Sequence, residues 1–304
     1  MASANQESTA RAILYAFLAN LGIAIAKTGA ASITGSGSML AEAIHSYADS
    51  GNQVLLFLGL RQSARPADDK HPLGYGMLSY FWSFIVAMLL FSVGGLFSIY
   101  EGIHKFNHPE PLNMVWVALV VLGLAIILEG FSLLGCLREI GHIRGDRTFA
   151  SWLKHTRNSA LVVVFGEDVA ALIGLVLAFV FVTMAAITGN TMFDAIGSMC
   201  IGVVLVVISV FLSVRVRSLL VGRSADPIIQ DAIEKIISEE EEIVQVLHTI
   251  TVQFGPDTML AAKIKMRAGI DLATAVKTIN EMERRLKENI PELKWCFIEP
   301  DEID

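Results

Sequence analysis

Two pairs of ionisable residues lie inside otherwise apolar stretches and have the types and spacing of ion ligands. His45 and Asp49 are four residues apart in AEAIHSYADSGNQ, so they share one face if this stretch is helical. Glu167 and Asp168 stand alone in SALVVVFGEDVAALIGLVLAF. An imidazole nitrogen beside a carboxylate oxygen suits a borderline divalent metal such as zinc. The residue types therefore indicate a buried cation site, although the His45–Asp49 pair taken alone is also consistent with a structural hydrogen bond.

The second pair favours the ion-site interpretation. Three acids around one histidine cannot all stay ionised in a low-dielectric setting unless a cation lies between them. On a helical wheel Val164 lies between the azimuths of Glu167 and Asp168, so both carboxylates can reach a site that faces Val164. The pattern predicts a roughly tetrahedral site for a metal ion, made by His45, Asp49, Asp168 and Glu167.

The elements that must position these residues are membrane-spanning helices. Apolar residues make up 54% of the chain and charged residues 17%, with a mean hydropathy of +0.57, whereas a soluble domain would need a more polar surface. A bilayer-spanning helix needs about 20 apolar residues. Six such runs lie near 12–33, 38–60, 81–101, 113–137, 158–184 and 193–214. We therefore expect an all-α membrane domain of six helices over residues 1–223.

The remaining residues, 224–304, are charged and contain no run long enough to span a bilayer. DPIIQDAIEKIISEEEE has helical periodicity behind a cap at Asp226, and DLATAVKTINEMERRLKENI is an amphipathic helix capped by Asp271. IVQVLHTITVQF, MLAAKIKMRA and LKWCFIEP are typical of strands, with GPDT as the turn between the first two. The order αββαβ predicts a small α+β domain with its helices on one face of the sheet.

The distribution of lysine and arginine predicts the orientation. These residues are concentrated in segments on the side of the N-terminus, and on the other side Lys105 alone is expected in a loop. The positive-inside rule places both termini, and the α+β domain, in the cytoplasm. We expect a multi-pass protein of a bacterial-type inner membrane, surrounded by lipid. The net charge of −7 argues against a nucleic-acid partner.

With six spans, both termini inside and this terminal domain, the chain resembles the cation diffusion facilitator family of metal–proton antiporters over nearly its whole length. AEAIHSYADSGNQ fits the family's second-span motif, and Asp168 followed by VAALIG fits the aspartate of the fifth. The family's fifth span carries a histidine where this chain has Val164, and Glu167 is the expected substitute. The resemblance implies a homodimer and a cytoplasmic domain similar to copper chaperones.

Two further sites follow from the resemblance. Asp68 and His71 in RPADDKHPLGYG fit part of a loop zinc site, but the third ligand position is Tyr75. Met77 stands where relatives commonly have a lysine that pairs with an acid such as Asp226. We therefore expect a weak loop site and no charge link between the domains through residue 77.

The cytoplasmic domain of many relatives carries a histidine-rich zinc cluster. His248 matches one of its positions, but Lys263 and Lys265 occupy the strand where a histidine would be expected. Because ammonium groups repel a divalent ion, we expect this domain to dimerise without a dedicated zinc cluster.

Three polar residues of the spans are expected to assist. Asn20 is predicted to support the ligands by hydrogen bonding. Lys27 is predicted to snorkel or to form a salt bridge. Glu129, placed toward the cytoplasmic end of the fourth span, is predicted either to line the entry path or to make a helix–helix hydrogen bond.

The expected function is export of Zn²⁺ from the cytoplasm in exchange for protons by alternating access, with the ion as substrate and no organic cofactor. Carriage of Mn²⁺, Fe²⁺ or Mg²⁺ is the nearest alternative, because a carboxylate-rich site suits harder ions. A membrane-embedded metalloenzyme is less expected, since the chain has no HExxH or GxSxG motif. A metal sensor that moves no ions is a third alternative.

Overall fold

The computed structural model describes residues 2–34, 37–109 and 114–303, without the side chains of residues 2–8, 30, 31, 33, 34, 37–45 and 48. The membrane domain is helical, and its helices are α1 (Ala2–Thr34), α2 (Gly37–Ser63), α3 (Leu78–Leu89), α4 (Phe97–Asn107), α5 (Val115–Arg144), α6 (Phe149–His155), α7 (Ser159–Thr188) and α8 (Met192–Leu220). A π-helical segment, Leu90–Leu96, joins α3 to α4. The predicted spans correspond to α1, α2, the α3–α4 unit, α5, α7 and α8.

Over the residues that the structure describes, five of these units are long and apolar enough to cross a membrane, and α2 is a further long helix. The five apolar stretches are Thr9–Gly29, Leu78–Asn107, Val115–Arg144, Ser159–Thr188 and Met192–Leu220. Helix α2 has 27 residues and packs against α1 and α3. At about 1.5 Å per residue its length exceeds the thickness of the hydrocarbon core.

Small residues bring the α3–α4 unit against α8. A Cβ added to Gly202 would lie 2.6 Å from Ile99 Cγ1 and 2.8 Å from Gly95 O, and one added to Gly95 would lie 2.7 Å from Val206 Cγ2. Glycine at Gly95 and Gly202 therefore permits the close backbone approach that is common between membrane helices.

The cytoplasmic domain has the predicted αββαβ order. It comprises α9 (Pro227–Ser238), β1 (Ile243–Phe254), β2 (Asp257–Met266), α10 (Leu272–Asn289) and β3 (Leu293–Pro300). Strand β2 lies between an antiparallel β1 and a parallel β3. Ile233 of α9, Leu260 of β2 and Met282 of α10 are fully buried in one core between the helices and the sheet.

Both predicted helix caps of this domain are confirmed. The Asp226 side chain accepts a hydrogen bond from the backbone N–H of Ile228, and the Asp271 side chain accepts one from that of Thr274. These carboxylates satisfy backbone donors that have no partner within the helix.

The β1–β2 turn of the cytoplasmic domain docks against the start of α3. The Tyr80 hydroxyl donates to Gly255 O at 3.0 Å, and a Cβ on Gly255 would lie 2.5 Å from Gly76 O. Arg157, just before α7, donates to the carbonyl oxygens of Ser224 at 2.8 Å and Ala225 at 2.9 Å. Burial, with the nearby Arg223 charge, lowers the pKa of Arg157 to about 10, so its guanidinium stays charged at neutral pH.

A charge link between the domains is present, but it does not involve residue 77. Arg147, between α5 and α6, lies 2.7 Å from Asp226 Oδ2. From the sequence, only residue 77 was considered as a partner for Asp226. Arg147 was not anticipated, because the sequence does not indicate that the α5–α6 connection reaches the start of α9.

Candidate ion site

Helices α2, α5 and α7 bring four carboxylates toward one region. Asp49 belongs to α2, Glu129 to α5, and Glu167 and Asp168 to α7. Glu129, Glu167 and Asp168 are buried, with 1%, 3% and 0% of their surface exposed, whereas Asp49 is half-buried. Buried carboxylates are costly in a bilayer unless a partner or an ion compensates them.

Glu167 is held by α2 through two amide donors. Asn52 Nδ2 donates to Glu167 Oε1 at 3.1 Å, and Gln53 Nε2 donates to Glu167 Oε2 at 3.0 Å. An ionised carboxylate has about four lone-pair directions on its two oxygens, so these bonds fix its orientation and leave acceptor capacity on each oxygen.

Asp168 faces α5 instead. Ser132 Oγ donates to Asp168 Oδ2 at 3.2 Å, while Asp168 Oδ1 is buried without a hydrogen-bond partner among the described residues. Both carboxylate oxygens of Glu129, one helical turn before Ser132, are likewise buried and without such a partner in that part of the chain. Glu129 interacts electrostatically with Asp168 and Asp49. Buried acceptors of this kind call for a proton, water or a cation.

Glu129 lies midway along α5 and not toward its cytoplasmic end. It is separated by about equal lengths of helix from Val115 and Arg144. The apolar run near 113–137 begins slightly before α5 and ends before its last turns, because Arg138, Glu139 and Arg144 lower the mean hydropathy there. The predicted helix–helix hydrogen bond from Glu129 is not seen among the described residues.

A cavity of about 170 Å³ lies between three of these carboxylates, and Asn20, Lys27, Ser46, Asp49, Glu129 and Glu167 are among its lining residues. Asn20 is 6% exposed on α1, where it was expected near the site. Lys27 is only 5% exposed and donates from Nζ to Ser46 Oγ at 2.9 Å. Of the two alternatives predicted for Lys27, snorkelling is wrong, because α1 and α2 pack closely enough to bury its ammonium, and a salt bridge stays a prediction.

The geometry of a complete metal site is not assembled within the described side chains. Among them no group of three or more His, Cys, Asp and Glu residues is gathered closely enough to hold a metal ion. His45 belongs to α2, but its side chain lies outside the described part of the structure. Asp49, Glu129 and Glu167 thus line one cavity, whereas Asp168 lies beside it and is bound to Ser132.

Three polar side chains of the site were not anticipated: Asn52, Gln53 and Ser132. Asn52 and Gln53 lie three and four residues after Asp49, on its helical face. That spacing could have predicted their role, because two side-chain amides one helical turn from a buried acid are well placed to donate hydrogen bonds to an acid on a neighbouring helix. Ser132 carried no comparable signal, because serine is common in membrane helices.

The loop after α2 is an exposed hydrogen-bonded turn. Asp68 Oδ1 accepts from the backbone N–H of Lys70 at 3.0 Å and of His71 at 2.7 Å, and Asp68 Oδ2 accepts from the Tyr75 hydroxyl at 2.7 Å. The Tyr75 hydroxyl and the His71 N–H hold the pKa of Asp68 below its usual range. Asp68 and His71 are therefore close together, as a loop zinc site requires, but their known partners are each other, Lys70 and Tyr75.

In the cytoplasmic sheet His248 pairs with Lys263, and Lys263 Nζ lies 3.0 Å from Asp301 Oδ2. The Lys263 charge holds the pKa of Asp301 below its usual range by direct hydrogen bonding. Lys263 thus forms an ion pair with Asp301 near the end of β3.

Comparison with known proteins identifies two family domains. The cation efflux transmembrane domain matches residues 13–221, and the cytoplasmic domain of cation efflux proteins matches residues 225–302. A proton-coupled zinc antiporter of Xenopus laevis mitochondria is 33% identical over 83% of this chain and 44% of its own length. Its human counterpart is 30% identical over 89% of this chain and 47% of its own length.

More distant relatives carry other names. Metal tolerance protein C4 of Arabidopsis thaliana is 29% identical over 93% of this chain and 62% of its own length, and magnetosome protein MamB of a Magnetospira strain is 23% identical over 93% and 91%. This chain spans less than half of each antiporter. The two family domains nevertheless cover nearly all of it, and the chain therefore belongs to the cation diffusion facilitator family, a family of metal transporters and not of enzymes.

Proposed function

We propose that the protein exports a divalent cation, Zn²⁺ in particular, from the cytoplasm in exchange for protons. The observation that carries this proposal is the group of acids from three helices, Asp49, Glu129 and Glu167, around one cavity. Glu129 and the adjacent Asp168 keep buried oxygens that have no hydrogen-bond partner within the described part of the chain. Such acids persist inside a membrane domain when they serve an ion or proton pathway.

His45, Asp49, Asp168 and Glu167 are the proposed ligands. Asp168 Oδ1 is buried and accepts no hydrogen bond from the side chains that the structure describes, and Glu167 keeps lone pairs beside its two amide bonds. Because the described carboxylates are not gathered around one point, binding would draw Asp49 and Asp168 together across the cavity. Asn20 would support the ligands, and Glu129 would line the path of the ion.

Protons would exchange with metal because both compete for the same atoms. A metal ion binds only deprotonated carboxylate and neutral imidazole, so binding releases protons and protonation releases the ion. Rocking of the helix bundle around the cavity would expose the site alternately to each side.

Mn²⁺, Fe²⁺ or Mg²⁺ is the second candidate cargo. Three carboxylates and one imidazole form a harder ligand set than two imidazoles with two carboxylates, and hard oxygen ligands suit these ions. The names of the two antiporters favour zinc as the first choice.

The proposed assembly is a homodimer with both termini in the cytoplasm of a bacterial-type inner membrane, divided into residues 1–223 and 224–304. The basic residues that precede and follow the spans support this orientation. An apolar row on the outer face of the sheet, with Ile250 at 48% and Phe297 at 58% exposure, supports a dimer contact there. The mitochondrial location named for the antiporters belongs to those proteins.

A flux assay tests the proposal. The full chain is reconstituted in sealed vesicles with an imposed pH gradient, and uptake of Zn²⁺, Mn²⁺, Fe²⁺ and Mg²⁺ is followed. We expect zinc uptake that depends on the gradient and is lost in Asp168→Asn. Folded protein that moves none of the four ions faster than protein-free vesicles would refute transport and leave a sensor or an enzyme as the explanation.

A further inference from the structure

Glu129 is a buried carboxylate that α5 presents to the ion cavity. Only 1% of its surface is exposed, and it lines the same cavity as Asp49 and Glu167. Neither of its carboxylate oxygens has a hydrogen-bond partner among the residues that the structure describes. A buried polar group in that condition calls for an ion, an ordered water or a proton, and an acid inside a membrane domain indicates an ion pathway.

The neighbours of Glu129 are proposed ligands of the ion. Glu129 interacts electrostatically with Asp168 and Asp49. Ser132, three residues after Glu129 and on the same face of α5, donates to Asp168 Oδ2 at 3.2 Å. Asp168 Oδ1 stays buried and without a hydrogen-bond partner in the described part of the chain. Carboxylates that repel one another in a low dielectric are stabilised by a cation between them.

Glu129 differs from Glu167 in how its side chain is held. The carboxylate of Glu167 accepts hydrogen bonds from Asn52 at 3.1 Å and from Gln53 at 3.0 Å, so α2 fixes its orientation. No such bond restrains Glu129 among the described residues. Its side chain can therefore turn toward an ion without breaking a hydrogen bond that the structure contains.

We propose that Glu129 binds the transported ion directly, so that three helices, α2, α5 and α7, build the site. This inference rests on the proposed transport function and adds a ligand to the set proposed there. Because the described carboxylates are not gathered around one point, the ion would draw the Glu129 side chain toward Asp49 and Asp168. A further carboxylate makes the ligand set harder, so Glu129 broadens the range of accepted ions toward Mn²⁺.

A charge-balancing role for Glu129 makes different predictions. Lys27 also lines the cavity and interacts electrostatically with Glu129, so the alternative is that Glu129 only offsets that ammonium. A carboxylate that only balances charge can be replaced only by another anion, whereas a ligand can be replaced by a neutral donor. Imidazole is neutral when it binds a metal, and it suits zinc better than manganese.

The test compares Glu129→Gln, which removes the charge and keeps the shape, with Glu129→His, which removes the charge and supplies a metal donor. Affinities of the detergent-solubilised full chain for Zn²⁺ and Mn²⁺ are measured by titration calorimetry. We expect Glu129→Gln to bind both ions at least about 10-fold more weakly than the wild type. Glu129→His should bind zinc within about threefold of the wild type, but manganese as weakly as Glu129→Gln does.

Glu139→Gln is the matched control on the same helix. Glu139 is also a buried glutamate, but it lies 3.1 Å from Arg11 in an ion pair and is not among the residues that line the cavity. Its substitution should leave zinc affinity unchanged.

If the neutral variants at position 129 do not fold, Glu129→Asp replaces them, because it keeps the charge and shortens the side chain by one methylene group. A ligand role predicts that Glu129→Asp binds zinc about 10-fold more weakly than the wild type. A charge-balancing role predicts wild-type affinity.

The outcomes separate this inference from the proposed function. If the wild type moves zinc and Glu129→His binds zinc no more tightly than Glu129→Gln, Glu129 is not a ligand and the proposed function stands. Wild-type zinc affinity in Glu129→Gln, or in Glu129→Asp where that variant is needed, leads to the same conclusion. If the folded wild type neither binds nor moves zinc, the proposed function fails and the inference falls with it.

Discussion

The carboxylate of Glu167 is positioned by α2, while that of its neighbour Asp168 is positioned by α5. Two adjacent residues on one helix therefore connect three helices at the site. Val164, where the family motif predicts a histidine, is fully buried in the apolar core. A ligand cannot come from that position, and Glu167 places its oxygens on the α2 side of α7.

We expect Glu167→Gln to weaken zinc affinity by about 10- to 100-fold, the size of effect seen when a ligand or its close support is altered. Glutamine keeps the shape but loses the negative charge and replaces one accepting oxygen by an NH2 donor, so the hydrogen bond from either Asn52 or Gln53 is also lost. Calorimetry on the solubilised full chain measures the affinity.

Glu139→Gln is the control for this variant. Glu139 is also a buried glutamate, 6% exposed, but it lies 3.1 Å from Arg11 in an ion pair outside the cavity lining. Its substitution should leave zinc affinity unchanged. If Glu167→Gln binds zinc as the wild type does, Glu167 is not a ligand.

The spans and the αββαβ domain follow from local sequence patterns, and the structure has both. Hydropathy finds long apolar helices because each one satisfies its own backbone within the bilayer. The π-helical segment Leu90–Leu96 and the short helix α6 have no comparable pattern, since the first depends on packing of Gly94 and Gly95 against α8 and the second on burial of Trp152. The acids could be identified from their isolation in apolar sequence, but their partners required the tertiary contacts.

Gly202→Ala should destabilise the packing between α8 and the α3–α4 unit. The new Cβ would contact the backbone of both Gly95 and Ile99 at 2.8 Å, where no side chain can move aside. We expect a loss of about 1–3 kcal/mol in the free energy of unfolding, as for other overpacked sites, measured as a lower melting temperature in detergent.

Gly123→Ala on α5 is the matched change, because nothing lies within 4 Å of its added Cβ. It should be neutral or stabilising, since alanine favours helix over glycine by about 1 kcal/mol. A Gly202→Ala protein as stable as Gly123→Ala would show that the α4–α8 contact is looser than described.

At the scale of the whole molecule, the Arg147–Asp226 pair holds the two domains together. Asp226→Asn removes the charge but preserves a good helix cap for α9. We expect this variant and Arg147→Gln each to raise the rate of tryptic cleavage at Arg223, between the domains, by about 2- to 5-fold.

The double variant should be cleaved no faster than the more affected single variant, because one interaction is lost in all three. Rates that multiply in the double variant would mean that the two residues act independently.

The outer face of the cytoplasmic sheet is the predicted dimer contact. Ile250, Ala261 and Phe297 lie in one row across the three strands. Phe297→Asp should shift the full chain from dimer to monomer in detergent, measured by light scattering, because it places a charge in the contact. Leu272→Asp, at an 81% exposed position on α10, should remain dimeric. A dimeric Phe297→Asp protein would place the contact elsewhere.

The central claim is that metal and protons compete for the same buried groups, and proton release on metal binding tests it most directly. Zinc is titrated into the solubilised full chain by calorimetry in buffers that differ in ionisation enthalpy. We predict an observed enthalpy that falls linearly as the ionisation enthalpy of the buffer rises, because the buffer takes up the released protons, with a slope of about one proton or more per zinc, and a shallower slope in Asp168→Asn. Zinc that binds the folded wild type with the same enthalpy in every buffer would contradict the account.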